Sequence, residues 1–79
     1  MNWQDHIVSD EKILLGKPVI KGTRLSVAFI LSLLAEGWTE QQLIESYPTL
    51  TREGLRAVYG FLNACMEDGL MFMPVKNAV

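Results

Sequence analysis

Cysteine and histidine are nearly absent from this sequence, which has one of each in 79 residues. A single thiol, Cys65, cannot form an internal disulfide, and with His6 alone beside it the chain lacks the ligand set of a structural zinc site. Long apolar runs are also missing. The longest, residues 27–35, is interrupted by Ser32 and is far shorter than the roughly 20 residues of a membrane span. The first residues lack the charged and apolar regions of a signal peptide, so we expect a cytoplasmic protein with no metal, no cofactor and no membrane partner.

Net charge is also small, at −2, so the field of the whole chain does not attract the protein to nucleic acid. Any contact with DNA must come from a local patch, and residues 12–24 supply one that contains no acidic side chain. This patch consists of Lys12, Lys17, Lys21 and Arg24. It fits an arm that contacts DNA phosphates, but lysines that protect the edge of a ribbon from aggregation would give the same pattern.

The sequence also lacks the arrangements that catalysis needs. Nucleotide-binding loops follow the order GxxxxGK[ST], whereas residues 16–24 read GKPVIKGTR, with Lys17 directly after the first glycine. No nucleophile, base and orienting group occur together in a recognisable pattern. We therefore expect a protein that is not an enzyme and has no small-molecule substrate.

What the chain does have is an apolar content of 49% in a length that can bury only about 60% of its unfolded surface. Apolar surface then stays exposed unless another chain covers it. This balance predicts a homodimer or a complex.

The pattern of caps and breakers predicts a mainly α fold, in which three helices follow a short N-terminal β-hairpin or ribbon. Short β-prone pieces lie at residues 6–9, 13–15 and 18–20. N-cap residues and helix breakers place the helices at about residues 27–36, 40–46 and 51–66. The chain is expected to be a single domain with a ribbon and turn at 6–25, a helical part at 26–66 and an apolar tail at 67–79.

Helical periodicity divides the third helix into three faces. The apolar stripe expected to face the core consists of Leu55, Val58, Tyr59, Leu62, Cys65 and Met66. The polar face consists of Arg52, Glu53, Arg56, Gly60, Asn63 and Glu67. Between them lie Gly54, Ala57, Phe61 and Ala64, which would suit packing against a second chain.

A short capped helix, a tight connector and a longer capped helix with arginines near its start have the outline of a helix-turn-helix. The second helix would then enter the major groove of DNA, where arginine reaches base edges or phosphates. The DNA contacts predicted in this way are Arg52, Glu53, Arg56, Gly60 and Asn63, with Lys17, Lys21 and Arg24 on phosphates. The alternative is that any small three-helix core shows this outline and that the arginines belong to a solvated face.

Two stretches of the chain resemble the DUF433 family of small bacterial and archaeal proteins. They are GKPVIKGTRLSV at residues 16–27 and LLAEGWTEQQLIESYPTLTREGLRAVYGFL at residues 33–62, within a resemblance over about residues 7–65. The resemblance implies a homeodomain-like helix-turn-helix fold and the role of an antitoxin. Such a protein would bind and neutralise a PIN-like ribonuclease toxin and, as a dimer, bind its operator DNA to regulate its own transcription. Many members carry a paired glycine before Lys-Pro, where this chain has Leu15 and Gly16.

The C-terminal segment LMFMPV lies outside the resemblance. An apolar tail rarely stays uncovered, so we expect it to lie on the toxin as an added strand or an apolar plug. The toxin-binding residues predicted here are Leu70, Met71, Phe72, Met73 and Val75. The alternative function is a protein-interaction module that keeps the helical scaffold without binding DNA, which the acidic net charge favours.

Overall fold

The computed structural model of the chain describes residues 2–69. Three helices follow a two-stranded antiparallel sheet, which confirms the predicted mainly α architecture with an N-terminal ribbon. The elements are a 3-10 turn at Trp3–Asp5, β1 at Ile7–Val8, a second 3-10 turn at Leu14–Gly16, β2 at Val19–Ile20, α1 at Val27–Ala35, α2 at Glu40–Ser46 and α3 at Arg52–Glu67.

Each helix begins at the cap that the sequence predicts. The side chains of Ser26, Thr39 and Thr51 each accept a hydrogen bond from the backbone N–H three residues later. At Thr39 the bond is reciprocated, because its own N–H donates to Gln42 Oε1 at 2.8 Å. These caps supply partners for N–H groups that a helix start leaves unpaired, and each is worth about 1 kcal/mol.

The ribbon differs from its prediction at residues 13–15, which do not form a strand. β1 pairs directly with β2, Ile7 opposite Ile20, and the second 3-10 turn lies in the connection between them. Within this connection the N–H of Gly16 donates to the Asp10 carbonyl at 3.1 Å, and the Ser9 hydroxyl donates to the Gly16 carbonyl. Backbone groups that a strand would need for pairing are thus satisfied locally, and the predicted strand at 13–15 is wrong.

The same connection holds two leucines in the left-handed backbone region. The φ angles of Leu14 and Leu15 are 51° and 58°, and this conformation costs an L-residue with a side chain about 1–2 kcal/mol. Leu15 is also 91% exposed. Neither its backbone conformation nor burial within its own chain favours leucine at this position.

The core lies where the ribbon, the three helices and the turn before α3 meet. Ile7 and Ile20 of the ribbon join Ile30 of α1 and Leu43 of α2 in one buried cluster. The buried apolar residues of the described chain are Ile7, Val19, Ile20, Val27, Ile30, Leu43, Leu50, Leu55, Ala57 and Val58. The ribbon is therefore an integral part of the hydrophobic core.

The buried face of α3 is rotated relative to the predicted stripe. Tyr59 and Met66, predicted to lie in the core, are 42% and 63% exposed. Gly54 and Ala57 are buried instead, on the side that was expected to pack against a second chain. The reason is that the N-terminal segment covers this side, where the ring of Trp3 meets that of Phe61 edge to face at 5.3 Å between centroids. The free energy gained when this side of α3 packs against the N-terminal segment is larger than that of burying Tyr59 and Met66, although the predicted stripe is more uniformly hydrophobic.

The contact between Trp3 and Gly60 of α3 makes the effect of Gly60→Ala on the free energy of unfolding depend on the Trp3 side chain. A Cβ added at Gly60 would lie 3.0 Å from Trp3 Cβ, so Gly60→Ala should lower the free energy of unfolding by about 1 kcal/mol through overpacking. In a Trp3→Gly background, which removes the Trp3 Cβ as well as the ring, the same change should raise it by about 1 kcal/mol, because alanine is the better helix former. Urea unfolding of the four proteins in this double-mutant cycle measures the coupling. An equal effect of Gly60→Ala in both backgrounds would contradict the contact.

The left-handed conformation of Leu15 predicts that glycine is more stable than alanine there. Both substitutions remove the large side chain, so the difference between the two variants reports the cost of the left-handed backbone conformation. The free energy of unfolding of Leu15→Gly should exceed that of Leu15→Ala by about 1 kcal/mol. Ser32, exposed in the middle of α1, provides the matched control, because there Ser32→Ala should exceed Ser32→Gly by about 1 kcal/mol. Urea unfolding of the four variants gives both differences, and the same sign at both positions would refute the assignment.

Candidate nucleic-acid interface

The connection between α2 and α3 fixes which residues of α3 face outward. Pro48 holds Tyr47 in an extended conformation, and the Leu50 N–H donates to the Tyr47 carbonyl at 2.9 Å. Leu50 is only 2% exposed and anchors the turn in the core. With α3 placed in this way, its outer face carries residues at helical spacing, namely Arg52, Arg56, Tyr59 and Asn63.

Arg52 is oriented by a neutral neighbour from α2. Its guanidinium Nη2 donates to Gln41 Oε1 at 2.9 Å, and Gln41 Nε2 donates in turn to Glu45 Oε1 at 2.8 Å. Because its hydrogen-bond partner is an amide, Arg52 keeps its charge uncompensated at that contact. The side chain remains exposed and retains donors for a ligand.

Arg56, one turn further along, borders a cleft between α2 and α3. The cleft measures about 300 Å³ and is lined by Glu40, Arg52, Leu55, Arg56 and Tyr59. Tyr59 donates its hydroxyl to Glu40 Oε2 at 2.8 Å. This bond joins the start of α2 to the middle of α3 and places a carboxylate beside the two arginines.

Partial burial raises the pKa of the Tyr59 hydroxyl above its ordinary value of 10.0, and the hydrogen bond to Glu40 and the negative charge of Glu40 add to the effect. The phenol therefore stays protonated and acts as a donor at neutral pH. Sequence reasoning missed this residue because an aromatic side chain on an amphipathic helix suggests the core. The signal that could have found it is its position three residues after Arg56, together with its polar tip.

The other predicted contacts on α3 have different surroundings. Glu53 is exposed in the first turn, and Asn63 is exposed with its amide donating to Glu67 Oε1 at 3.1 Å. Gly60 packs against the N-terminal turn, since Trp3 Cβ lies 3.0 Å from the position of an added Cβ, and it is half-buried. Its contact with DNA stays a prediction.

The basic residues of the ribbon do not join the arginines of α3. Lys17, Lys21 and Arg24 are all exposed, but the ribbon packs on the opposite side of α3, with Ile20 Cγ2 at 3.1 Å from a Cβ placed on Gly54. At 100° per residue, Gly54 points about 200° around the helix from Arg52. The structure therefore separates the predicted cations into two groups on different sides of α3.

The remaining predictions concern the toxin contacts, a metal site and a membrane span. The toxin-binding residues Leu70, Met71, Phe72, Met73 and Val75 lie outside the described residues. Within residues 2–69, no three histidine, cysteine, aspartate or glutamate side chains are placed to share a metal ion. Over the same range, no helix combines the length and hydropathy needed to cross a membrane.

Comparison with known proteins finds a similar solved structure and a family model that covers most of the chain. A structure similar to this one is the crystal structure of a DUF433 member protein from Anabaena variabilis, with a TM-score of 0.73 and 26% sequence identity. The similarity covers 82% of this chain and 64% of that protein, so the chain spans less than two thirds of its relative's length. No curated protein matches the chain. A family model described as "Protein of unknown function (DUF433)" matches residues 7–61, and the chain belongs to this family.

Proposed function

We propose that this protein is an antitoxin that binds and neutralises a PIN-like ribonuclease toxin and, as a dimer, binds operator DNA through α3. The observation that carries the DNA-binding part is the exposed position of Arg52 and Arg56 on the first half of α3. The order of α2, a short turn anchored by the buried Leu50, and α3 supports a helix-turn-helix, and the family resemblance supports one of the homeodomain-like kind. The toxin-binding part rests on the family resemblance and on the apolar tail.

In this proposal α3 lies in the major groove with its N-terminal half toward the bases. Arg56 has an exposed guanidinium and the geometry to donate two hydrogen bonds to a guanine edge. Arg52, held by Gln41, contacts a phosphate or a neighbouring base, and Glu53 accepts a hydrogen bond from a cytosine amino group. Asn63 lies further along the same face of α3 and contacts the sugar-phosphate backbone of the DNA.

The Tyr59 hydroxyl and Glu40 have a positioning role in this arrangement. Their 2.8 Å hydrogen bond ties α2 to α3, so that the two helices present one surface to the duplex. The Glu40 carboxylate lines the same cleft as Arg56 and repels a DNA phosphate that approaches this side of the arginine. Such negative charge suits a regulator that must discriminate its operator from other DNA, because it weakens sequence-independent attraction.

The second candidate function, a protein-interaction module without DNA binding, is favoured by one specific observation. The exposed surface formed by α2 and α3 carries Arg52 and Arg56 but also Glu40, Glu53 and Glu67. Its charge is therefore not basic overall, and the ribbon cations on the other side of α3 do not add to it. A surface of this composition also suits a polar protein partner.

Replacement of Arg56 should distinguish the two candidates. Arg56→Ala should weaken binding to the DNA upstream of the gene about 5- to 150-fold, which corresponds to about 1–3 kcal/mol for a base contact. Arg24→Ala removes the same charge from the ribbon and should change the affinity less than about 3-fold, because it does not face the groove. Fluorescence anisotropy over a series of salt concentrations measures both variants. Equal losses in the two variants would indicate attraction by charge alone, and absence of wild-type binding at low salt would leave the interaction module.

The toxin-binding role is tested with the product of an adjacent PIN-like gene. The double variant Leu70→Ser and Phe72→Ser should lower affinity for this toxin at least about 10-fold, because the proposed complex would lose two apolar side chains from its interface. Met66→Ser, on the exposed surface of α3, is the matched control and should have little effect. Titration calorimetry gives the affinities, and relief of ribonuclease inhibition gives the functional readout. Unchanged affinity of the double variant would exclude the tail as the toxin contact.

A further inference from the structure

The core-facing side of α3 extends further along the helix than the core that buries it. In the first half of the helix this side carries Leu55 and Val58, which are both buried. At the same helical spacing it continues through Leu62 and Cys65, and these two are only half-buried. We call Leu62 and Cys65 the α3 overhang. An apolar strip that continues a buried face is a surface on which another apolar segment can pack.

The end of α3 turns the chain back toward this overhang. Gly69 has a φ angle of 75°, and its N–H donates to the Met66 carbonyl at 3.1 Å. This bond and the left-handed glycine belong to the Schellman motif, in which the residue after the glycine often makes an apolar contact with the helix residue five positions before it. Those two residues are Leu70 and Cys65.

The end of α1 shows what the same motif does elsewhere in this chain. Gly37 has a φ angle of 101°, and Trp38, which follows it, donates its N–H to the Leu33 carbonyl at 3.1 Å. Trp38 and Leu33 are both half-buried and packed against the core. Leu70 follows Gly69 as Trp38 follows Gly37, so the sequence places a large apolar residue at the same position of both motifs.

We propose that residues 70–73 turn back along α3 and cover the α3 overhang of their own chain. Leu70 then packs on Cys65. Phe72 follows about 7 Å further along an extended chain, which is enough to reach Leu62, about 4.5 Å from Cys65 along the helix axis. Residues 70–75 contain no charged side chain, which suits an apolar strip. Because the segment is joined to the helix that it covers, the contact forms without association of two molecules.

Docking of this segment regulates toxin binding, an inference that rests on the proposed function. Leu70 and Phe72 are among the predicted toxin contacts, so a toxin that binds them displaces them from α3. Arg52 and Arg56 lie on a different face of α3 and stay free for DNA. Docking is tested on the protein alone, so a failure of docking and a failure of toxin binding are separate results.

The reactivity of Cys65, the sole thiol of the chain, reports whether the overhang is covered. Alternate side chains of an extended segment face opposite ways, which supplies a matched control. The double variant Leu70→Ser and Phe72→Ser should raise the rate of alkylation by iodoacetamide at least about 10-fold. The control variant, Met71→Ser and Met73→Ser, should stay within about 2-fold of the wild type. Mass spectrometry follows the reaction at low micromolar protein, and circular dichroism checks that the helices are kept.

Equal alkylation rates in the wild type and the Leu70→Ser and Phe72→Ser variant would overturn the proposal, and so would equal increases in the two double variants. A wild-type rate that rises on dilution would also overturn it, because a second copy of the chain would then cover the overhang.

Disulfide trapping tests the contact without removing apolar side chains from both positions. Leu70→Cys places a second thiol against Cys65, within the Cα separation of about 4–7 Å that a disulfide needs. In a glutathione buffer its intramolecular disulfide should be at least about 10-fold more favourable than that of the neighbouring variant Met71→Cys. Mass spectrometry of non-reduced peptides identifies the bond. Equal formation of the disulfide in the two variants would refute the docked arrangement.

Discussion

Packing of the N-terminal ribbon and the Trp3 turn on α3 is the contact on which the arrangement of the described domain depends. Gly54 and Gly60 have no side chain, and this lets Ile20 and Trp3 approach the helix backbone to about 3 Å of where a Cβ would stand. Trp3 then meets Phe61, and Ile20 joins the buried cluster with Leu55 and Val58. In a domain this small the three helices bury little surface by themselves, and the ribbon adds Ile7, Val19 and Ile20 to the buried residues.

This packing also decides which surfaces remain for function. Once one side of α3 is covered by the chain's own N-terminal part, the opposite side, with Arg52, Arg56 and Tyr59, is free for a partner. The ribbon that carries the other cations packs on the covered side of α3, so these cations do not extend the arginine surface. The cations of the chain are thus divided between two surfaces, each of which also carries apolar or acidic groups, and they do not form one large basic surface.

The local part of the fold could be predicted from sequence because its causes are local. A cap such as Thr39 with Gln42 involves residues three positions apart, and Pro48 restricts only the residue before it, so both act whatever the rest of the chain does. The strand expected at residues 13–15 failed because β-propensity depends on having a partner strand, and the loop's own hydrogen bonds took that role. The same holds for Gly60, because the residues around it in sequence do not show whether its side of the helix is exposed or covered by a residue as distant as Trp3.

The sequence by itself determined the family, the order of the elements and the start of every helix, since these follow from side chains within a few positions of each other. The tertiary structure alone decided which face of α3 is buried, that Tyr59 is a donor bound to Glu40, and that the arginines and the ribbon cations lie apart. It also showed Leu15 as an exposed residue with positive φ. The physical reason is that an amphipathic helix with two partly apolar faces can bury either one. The choice is made by distant residues such as Trp3 and Ile20, whose burial contributes more free energy than the helix pattern alone.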